Sequence, residues 1–175
     1  ISAGMLMKEK GMIKKPLYVV PNHLTQQFGQ ELLRFYPSKN VLVTTKDDFK
    51  TNNRKKFTSR IATGDYDAVI IGHSQFEKIS LSKEYRERTL KDEVKSIQGA
   101  IEREKSNKGE SWSLKQMVRF EKNLKQQLEK LQNEKNKDGL LTFEQLGVDF
   151  MFVDEAHIYK NLYTYTKLSN VAGVN

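Results

Sequence analysis

The stretch LYVVPNHLTQQFGQELLRFYPSKNVLV, from Leu17 to Val43, carries the reading on which the fold rests. It opens with a short apolar run, Leu17–Val20, and stops at Pro21-Asn22. It closes with a second run, Val41–Val43. Between the two, Leu24, Phe28, Glu31, Leu32 and Phe35 recur at helical spacing. Further along the chain, Ala68–Ile71 and Phe150–Val153 repeat the same kind of run. All four are short, mostly β-branched or aromatic, and bounded by Pro, Asn, Asp or Gly. Such runs predict strands buried on both faces, as in a parallel sheet. Phe49 to Ile61 predicts a second helix, ended by Gly64. Strand, helix, strand, helix, strand is the doubly wound α/β pattern. Met5 to Lys10, followed by Gly11, predicts the end of a further helix.

The segment 81–140 breaks that rhythm. Leu90, Val94, Ile97 and Ile101 are spaced as one helical stripe, and Met117, Leu124, Leu128 and Leu131 as another. The polar residues Ser106–Ser111 separate them, and Ser113 with Gln116 predicts a capping box at the second helix start. Two long antiparallel helices with a narrow seam follow, the second ended by Asn136–Gly139. The spacing is too regular for a disordered charged linker. Thr142 with Gln145 predicts the cap of a short third helix before the last strand. The expected organisation is an α/β sheet domain from 1–80 and 141–175, interrupted by a helical insertion at 81–140.

Composition narrows the chemistry. The 175 residues contain no cysteine, which excludes disulfides, thiol catalysis and cysteine-based zinc sites. Three histidines argue against a histidine-rich metal centre. No apolar run is long enough to cross a bilayer and no export signal is visible, so the expected compartment is the cytoplasm. The net charge is +8, carried unevenly: residues 1–79 are net +6, 80–140 net +4 and 141–175 net −2. The strongest basic excess is Lys50, Arg54, Lys55, Lys56 and Arg60. It reads equally as a phosphate-backbone footprint or as a solvated helix surface.

The last apolar run ends in Asp154-Glu155-Ala156-His157. Two carboxylates at the carboxyl end of a parallel strand sit where α/β proteins bind ligands. Asp154 can hold a magnesium ion that bridges nucleotide phosphates, and Glu155 can polarise an attacking water. Extended through Ile158-Tyr159-Lys160-Asn161, the tetrapeptide becomes a DEAH-x-x-Lys-Asn pattern, and two other blocks agree with it in order. With these residues the sequence resembles the Swi/Snf-type branch of superfamily-two helicases and DNA translocases. Leu17–Leu24 is similar to the family's motif Ia, and Asp67–Phe76 to its motif Ib region. The wording of Lys160–Leu162 and Thr166–Gly173 resembles large phage and mobile-element proteins. These join such a helicase to an adenine-specific DNA methyltransferase.

The resemblance implies a partial RecA-like lobe whose parent hydrolyses ATP, with magnesium, to move on DNA. Asp154 and Glu155 then contact the nucleotide, and His157 couples that site to the DNA. The two blocks then contact the DNA backbone without sequence preference through Pro21, Asn22, His23, Ser74 and Gln75, and the charge pattern adds Arg54, Lys55 and Lys56 as expected contacts. Helix N-termini offer unpaired N–H groups to phosphate, and His23, Ser74 and Gln75 can add side-chain hydrogen bonds. A phosphate loop of the form G-x-x-x-x-G-K-[ST] is absent from the sequence, as is a Thr-Gly-Thr-Pro block. The expectation is therefore the middle of a first lobe, cut at both ends, with no bound cofactor and no activity of its own. The missing phosphate-loop strand would lie beside the Asp154 strand and leave a sheet edge there. Two other readings stand beside this one. One is a non-enzymatic module whose helical hairpin recruits a protein partner or DNA; the other is a degenerate nucleotide-binding fold.

Overall fold

The computed structural model describes residues 1–50, 53–106, 111–133 and 141–159, with backbone alone for 111–113. The chain divides into two compact units. One is drawn from Ile1–Leu81 and Asp138–Ile158, the other from Ser82–Lys137 and residues from Tyr159 on.

The first unit is built on four parallel strands: β1 (Pro16–Val20), β2 (Val41–Val43), β3 (Ala68–Gly72) and β4 (Phe150–Val153). Their order is β2-β3-β1-β4. β1 pairs Leu17 with Val69 on one side and with Met151 on the other. Alternation along the strands sends side chains to two cores. On one face Tyr18, Val20, Ala68 and Ile70 meet Met5 of α1 (Ser2–Glu9) and Leu32 of α2 (Thr25–Phe35). On the other, Leu17, Val19, Val69 and Ile71 meet Phe57 and Ile61 of α3 (Arg54–Thr63), together with Leu146. Helices thus cover both faces, which is why β1 and β3 are buried at every position. A single helical turn, α4 (His73–Phe76), follows β3 directly.

The expected helices hold with local differences. Glu9 ends α1 and Gly11 follows at φ +69°, a left-handed position suited to glycine. The short helix at Phe143–Leu146 is a 3-10 turn with the Thr142–Gln145 capping box in place. The second helix, expected from Phe49, starts only at Arg54. Phe49 instead ends a separate 3-10 turn, Asp47–Phe49, and is buried. Asp48 Oδ2 accepts from Thr45 N–H at 2.8 Å and Thr45 Oγ–H at 2.6 Å, which ties the chain into that turn. The apolar run of β4 predicts burial on both faces, but the strand lies at one edge of the described sheet. Phe150 is 39% and Met151 41% exposed.

In the second unit, α5 (Lys83–Ser106) and α6 (Ser111–Asn133) pack through Ile97, Ile101, Met117 and Leu124. Gln132 Nε2 donates to Glu87 Oε1 at 3.0 Å and Gln98 Nε2 to Glu121 Oε1 at 2.7 Å. As one helix advances the other retreats, so the pair is antiparallel. Ser113 falls inside α6 rather than at its cap. The stop at Asn136–Gly139 and the Lys160–Gly173 wording lie outside the described residues. No described helix is long and apolar enough to cross a membrane.

Candidate functional site

Parallel strands deliver all their carboxyl ends to one side of the sheet. In the first unit that side carries four short connections. Pro21-Asn22-His23 follows β1, Thr44-Thr45-Lys46 follows β2, α4 follows β3, and Asp154-Glu155 follows β4.

The connections after β1 and β3 are joined. Ser74 donates to Asn22 Oδ1 twice, from its backbone N–H at 3.2 Å and its hydroxyl at 3.1 Å. The junction needs Gly72, because a methyl there would overlap both Asn22 Oδ1 and Gln75 Oε1. The amide oxygens of two residues more than fifty positions apart in sequence therefore converge on one point. Beside it opens a cleft of ≈ 520 Å³ lined by Asn22, His23, Ser74 and Gln75, and by Thr44, Lys46 and Lys78 among others. Thr25 and Gln26, in the first turn of α2, also line it, and no side chain caps that turn. Its amides are thus available to an anion. The lining includes two lysines and no carboxylate.

Four of the eight residues expected at DNA meet in this cleft: Asn22, His23, Ser74 and Gln75. Pro21 adjoins it without lining it. Arg54, Lys55 and Lys56 do not line it either. They occupy the first turn of α3 at the same end of the sheet, since β2 runs up to that end and α3 returns from it. Reading the sequence missed Thr44, Thr45, Lys46 and Lys78. A signal for the first three was present: Val41–Val43 passes into Thr44-Thr45-Lys46 as the other strands pass into their polar ends.

The acidic end is a separate and open place. Asp154 N–H donates to Val19 O at 2.9 Å, which carries the β4 ladder one residue further along β1. Asp154 Oδ1 then accepts from Glu155 N–H at 3.0 Å. Glu155 is the one non-glycine residue with positive φ among those described, at 53°. Left-handed backbone is costly for glutamate, on the order of 1–3 kcal/mol, and such strain gathers at functional turns. Glu155 Oε2 lies 3.0 Å from His157 Nδ1, and Asp154, Glu155 and His157 are all exposed. No group of three metal-ligating side chains occurs among the described residues. Asp154 and Glu155 place two exposed carboxylates at this turn, oxygen donors of the kind a hard cation takes.

A parallel sheet with ligand-facing loops at its carboxyl ends is shared by many nucleotide-handling proteins and does not by itself name one. No curated protein and no solved structure matches the chain. A family model described as "Probable helicase domain" matches residues 1–175. The match covers the whole length, and the chain belongs to that helicase-domain family.

Proposed function

We propose that this chain is the DNA-facing and hydrolytic middle of an ATP-driven, Swi/Snf-type DEAH motor lobe. Its setting would be a large phage or mobile-element protein that also carries an adenine-specific DNA methyltransferase. The observation that carries the reading is the Asn22–Ser74 junction. It brings the two blocks read as DNA-contacting into one cleft, on the side of the sheet where the Asp154-Glu155 turn also emerges.

In this reading Asp154 holds magnesium through an exposed carboxylate whose Oδ1 is oriented by Glu155 N–H. Bound magnesium would supply positive charge to the phosphate oxygens of ATP. Glu155 orients and deprotonates the attacking water. His157 Nδ1, 3.0 Å from Glu155 Oε2, orients that carboxylate and reports its state toward the DNA side. Asn22, His23, Ser74 and Gln75 hold the strand by its phosphates, so the grip is independent of sequence.

The test uses a longer protein that carries this lobe with a phosphate loop. Glu155→Gln should lower steady-state phosphate release by roughly 10²–10⁴-fold, the usual weight of a general base, while nucleotide binding persists. Asp154→Asn should weaken magnesium-nucleotide binding instead. Wild-type turnover in Glu155→Gln would refute the assignment. The 175-residue chain alone should show no turnover, because its sequence has no Gly-Lys-Thr/Ser cradle for the phosphates.

A further inference from the structure

The two helices of the insertion carry different charge. α5 holds seven cations and six carboxylates. On its exposed side Arg88, Lys91 and Lys95 are interleaved with Glu84, Glu87 and Asp92, and Lys91 pairs with Glu87 at 2.7 Å. To a charged partner that side is close to neutral. α6 holds five cations and only two carboxylates. One of the two, Glu121, is already engaged: its Oε1 takes Lys125 Nζ at 2.6 Å and, across the seam, Gln98 Nε2 at 2.7 Å. The other cations of α6 are sorted onto one side. Met117, Leu124 and Leu131 recur every seven residues, are buried, and mark the inward face. Lys115, Arg119, Lys122, Gln126 and Asn133 recur at helical spacing on the opposite face, with Lys130 beside them, and all are exposed. Among the described residues no carboxylate lies within ion-pair distance of Lys115, Arg119, Lys122 or Lys130. Glu129 is the one acidic residue on that side.

Composition decides the class of partner. Protein interfaces are built on aromatic and aliphatic anchors and are depleted in lysine. The stripe has no such anchor: Val118, 48% exposed, stands only at its margin. A membrane surface needs an apolar helix face, and the apolar face of α6 is spent on the seam with α5. A row of unpaired cations with amide donors among them suits a row of phosphates. Shape decides the form of nucleic acid. From Lys115 to Lys130 the stripe runs straight for about 22 Å, at 1.5 Å per residue. A duplex is stiff over that length and carries a charge every 1.7 Å or so of its axis. Rod can lie against rod with little to order, whereas a single strand must first be straightened.

We propose that the outward face of α6 is a duplex-binding surface made entirely of insertion residues. Lys115, Arg119, Lys122 and Lys130 supply the charge, and Gln126 and Asn133 supply amide donors among them. The insertion is then an arm that holds duplex without reading its sequence. This rests on nucleic acid being a partner of the domain. It does not rest on the cleft of the sheet unit or on the assignment of Asp154 and Glu155.

The experiment is an anisotropy titration of a labelled mixed-sequence duplex with the 175-residue chain across a salt series. Lys115→Gln/Arg119→Gln/Lys122→Gln replaces exposed residues by another good helix former, so the circular dichroism should match the parent's. Affinity at low salt should fall about tenfold or more, and the salt slope by roughly 2.7, at about 0.9 per lost contact on duplex. Arg88→Gln/Lys91→Gln/Lys95→Gln removes the same charge from α5 and should leave the slope unchanged. A single strand of equal length should lose less affinity than the duplex in the α6 variant. If the triple variant loses helix content, Lys122→Gln alone decides, with an expected fall in slope of about 0.9. An unchanged slope in the α6 variant, or an equal loss in the α5 variant, would overturn the proposal. So would an equal loss on the single strand, or no duplex binding at low salt. Displacement of the duplex by polyglutamate at matched charge and ionic strength would show a surface for acidic polypeptide and overturn the nucleic-acid reading. The cleft is tested apart from this by His23→Ala: unchanged binding there counts against the cleft and leaves the α6 result standing, and failure of the α6 variant leaves the cleft standing.

Discussion

β1 and β4 are neighbours in register, Leu17 beside Met151 and Tyr18 beside Phe152, and both are apolar throughout. Yet Leu17 is fully buried and Met151 is 41% exposed. Hydrophobicity does not separate them; place in the sheet does. β1 has a strand on each side and a helix layer over each face, whereas β4 pairs on one side only among the described strands. The ends of the two strands differ in the same sense. β1 leads into a braced junction, with Asn22 Oδ1 holding Ser74. β4 leads into an exposed acidic turn with Glu155 in left-handed backbone. One end is built to hold a fixed shape, the other to present carboxylates to solvent.

The largest effect should come from truncating the two strands in parallel. Leu17→Ala should cost about 2–5 kcal/mol, as core leucines do, and Met151→Ala less than about 1 kcal/mol. Urea unfolding followed by circular dichroism measures both, and equal costs would break the contrast.

A smaller effect should follow Gly72→Ala, at the β3 position paired with Val20. The new methyl would overlap Asn22 Oδ1 and Gln75 Oε1, and Asn22 Cα lies 3.3 Å away, so side chains and backbone must both shift. Overpacking of this kind costs roughly 1–3 kcal/mol. Chemical shifts at Asn22 and Ser74 should move with it; an unperturbed junction would show that the braced end of β1 is looser than its hydrogen bonds suggest.

The smallest effect concerns a stacked contact between the two strands. Tyr18 stacks on Phe152 with centroids 5.0 Å apart, and its hydroxyl donates to Ile1 O at 3.3 Å. Burial, with Tyr36 nearby, pushes its pKa from 10 up to about 12. The folded state therefore favours the neutral phenol. Its contribution is complete below pH 10 and is lost as pH rises toward about 12. At neutral pH Tyr18→Phe should cost only about 0.5–1.5 kcal/mol for one hydrogen bond. Between pH 10 and about 12 the wild type should lose stability that Tyr18→Phe keeps. Identical pH profiles would place Tyr18 in a wetter setting than the stack implies.

Much of this molecule is legible in its amino-acid order. Four apolar runs form four parallel strands, and Gly11 and Thr142 mark the helix boundaries that their residue types predict. Asn22, His23, Ser74 and Gln75 stand out in the sequence and do meet. The features that sequence patterns misplace depend on local turns or on distant neighbours. Phe49 has helical spacing with Phe57, but the hydrogen bonds from Thr45 to Asp48 divert the chain into a separate turn first. Lys46 and Lys78 belong to no motif, and only the adjacency of β2, β3 and β1 sets them around one cleft.

By itself the sequence determined where the four strands lie and which stretches between them are helical, though not every helix start, and that Asp154 and Glu155 follow a strand. Those properties rest on periodicity and on turn residues, which act over a few positions. The tertiary structure alone decided strand order, and with it which apolar run is buried and which loops share a cleft. Strand order arises from pairing and packing between segments distant in sequence, and no short window carries that interaction. β1 is the first strand in the chain yet lies between the third and the fourth, and the cleft exists because of that placement.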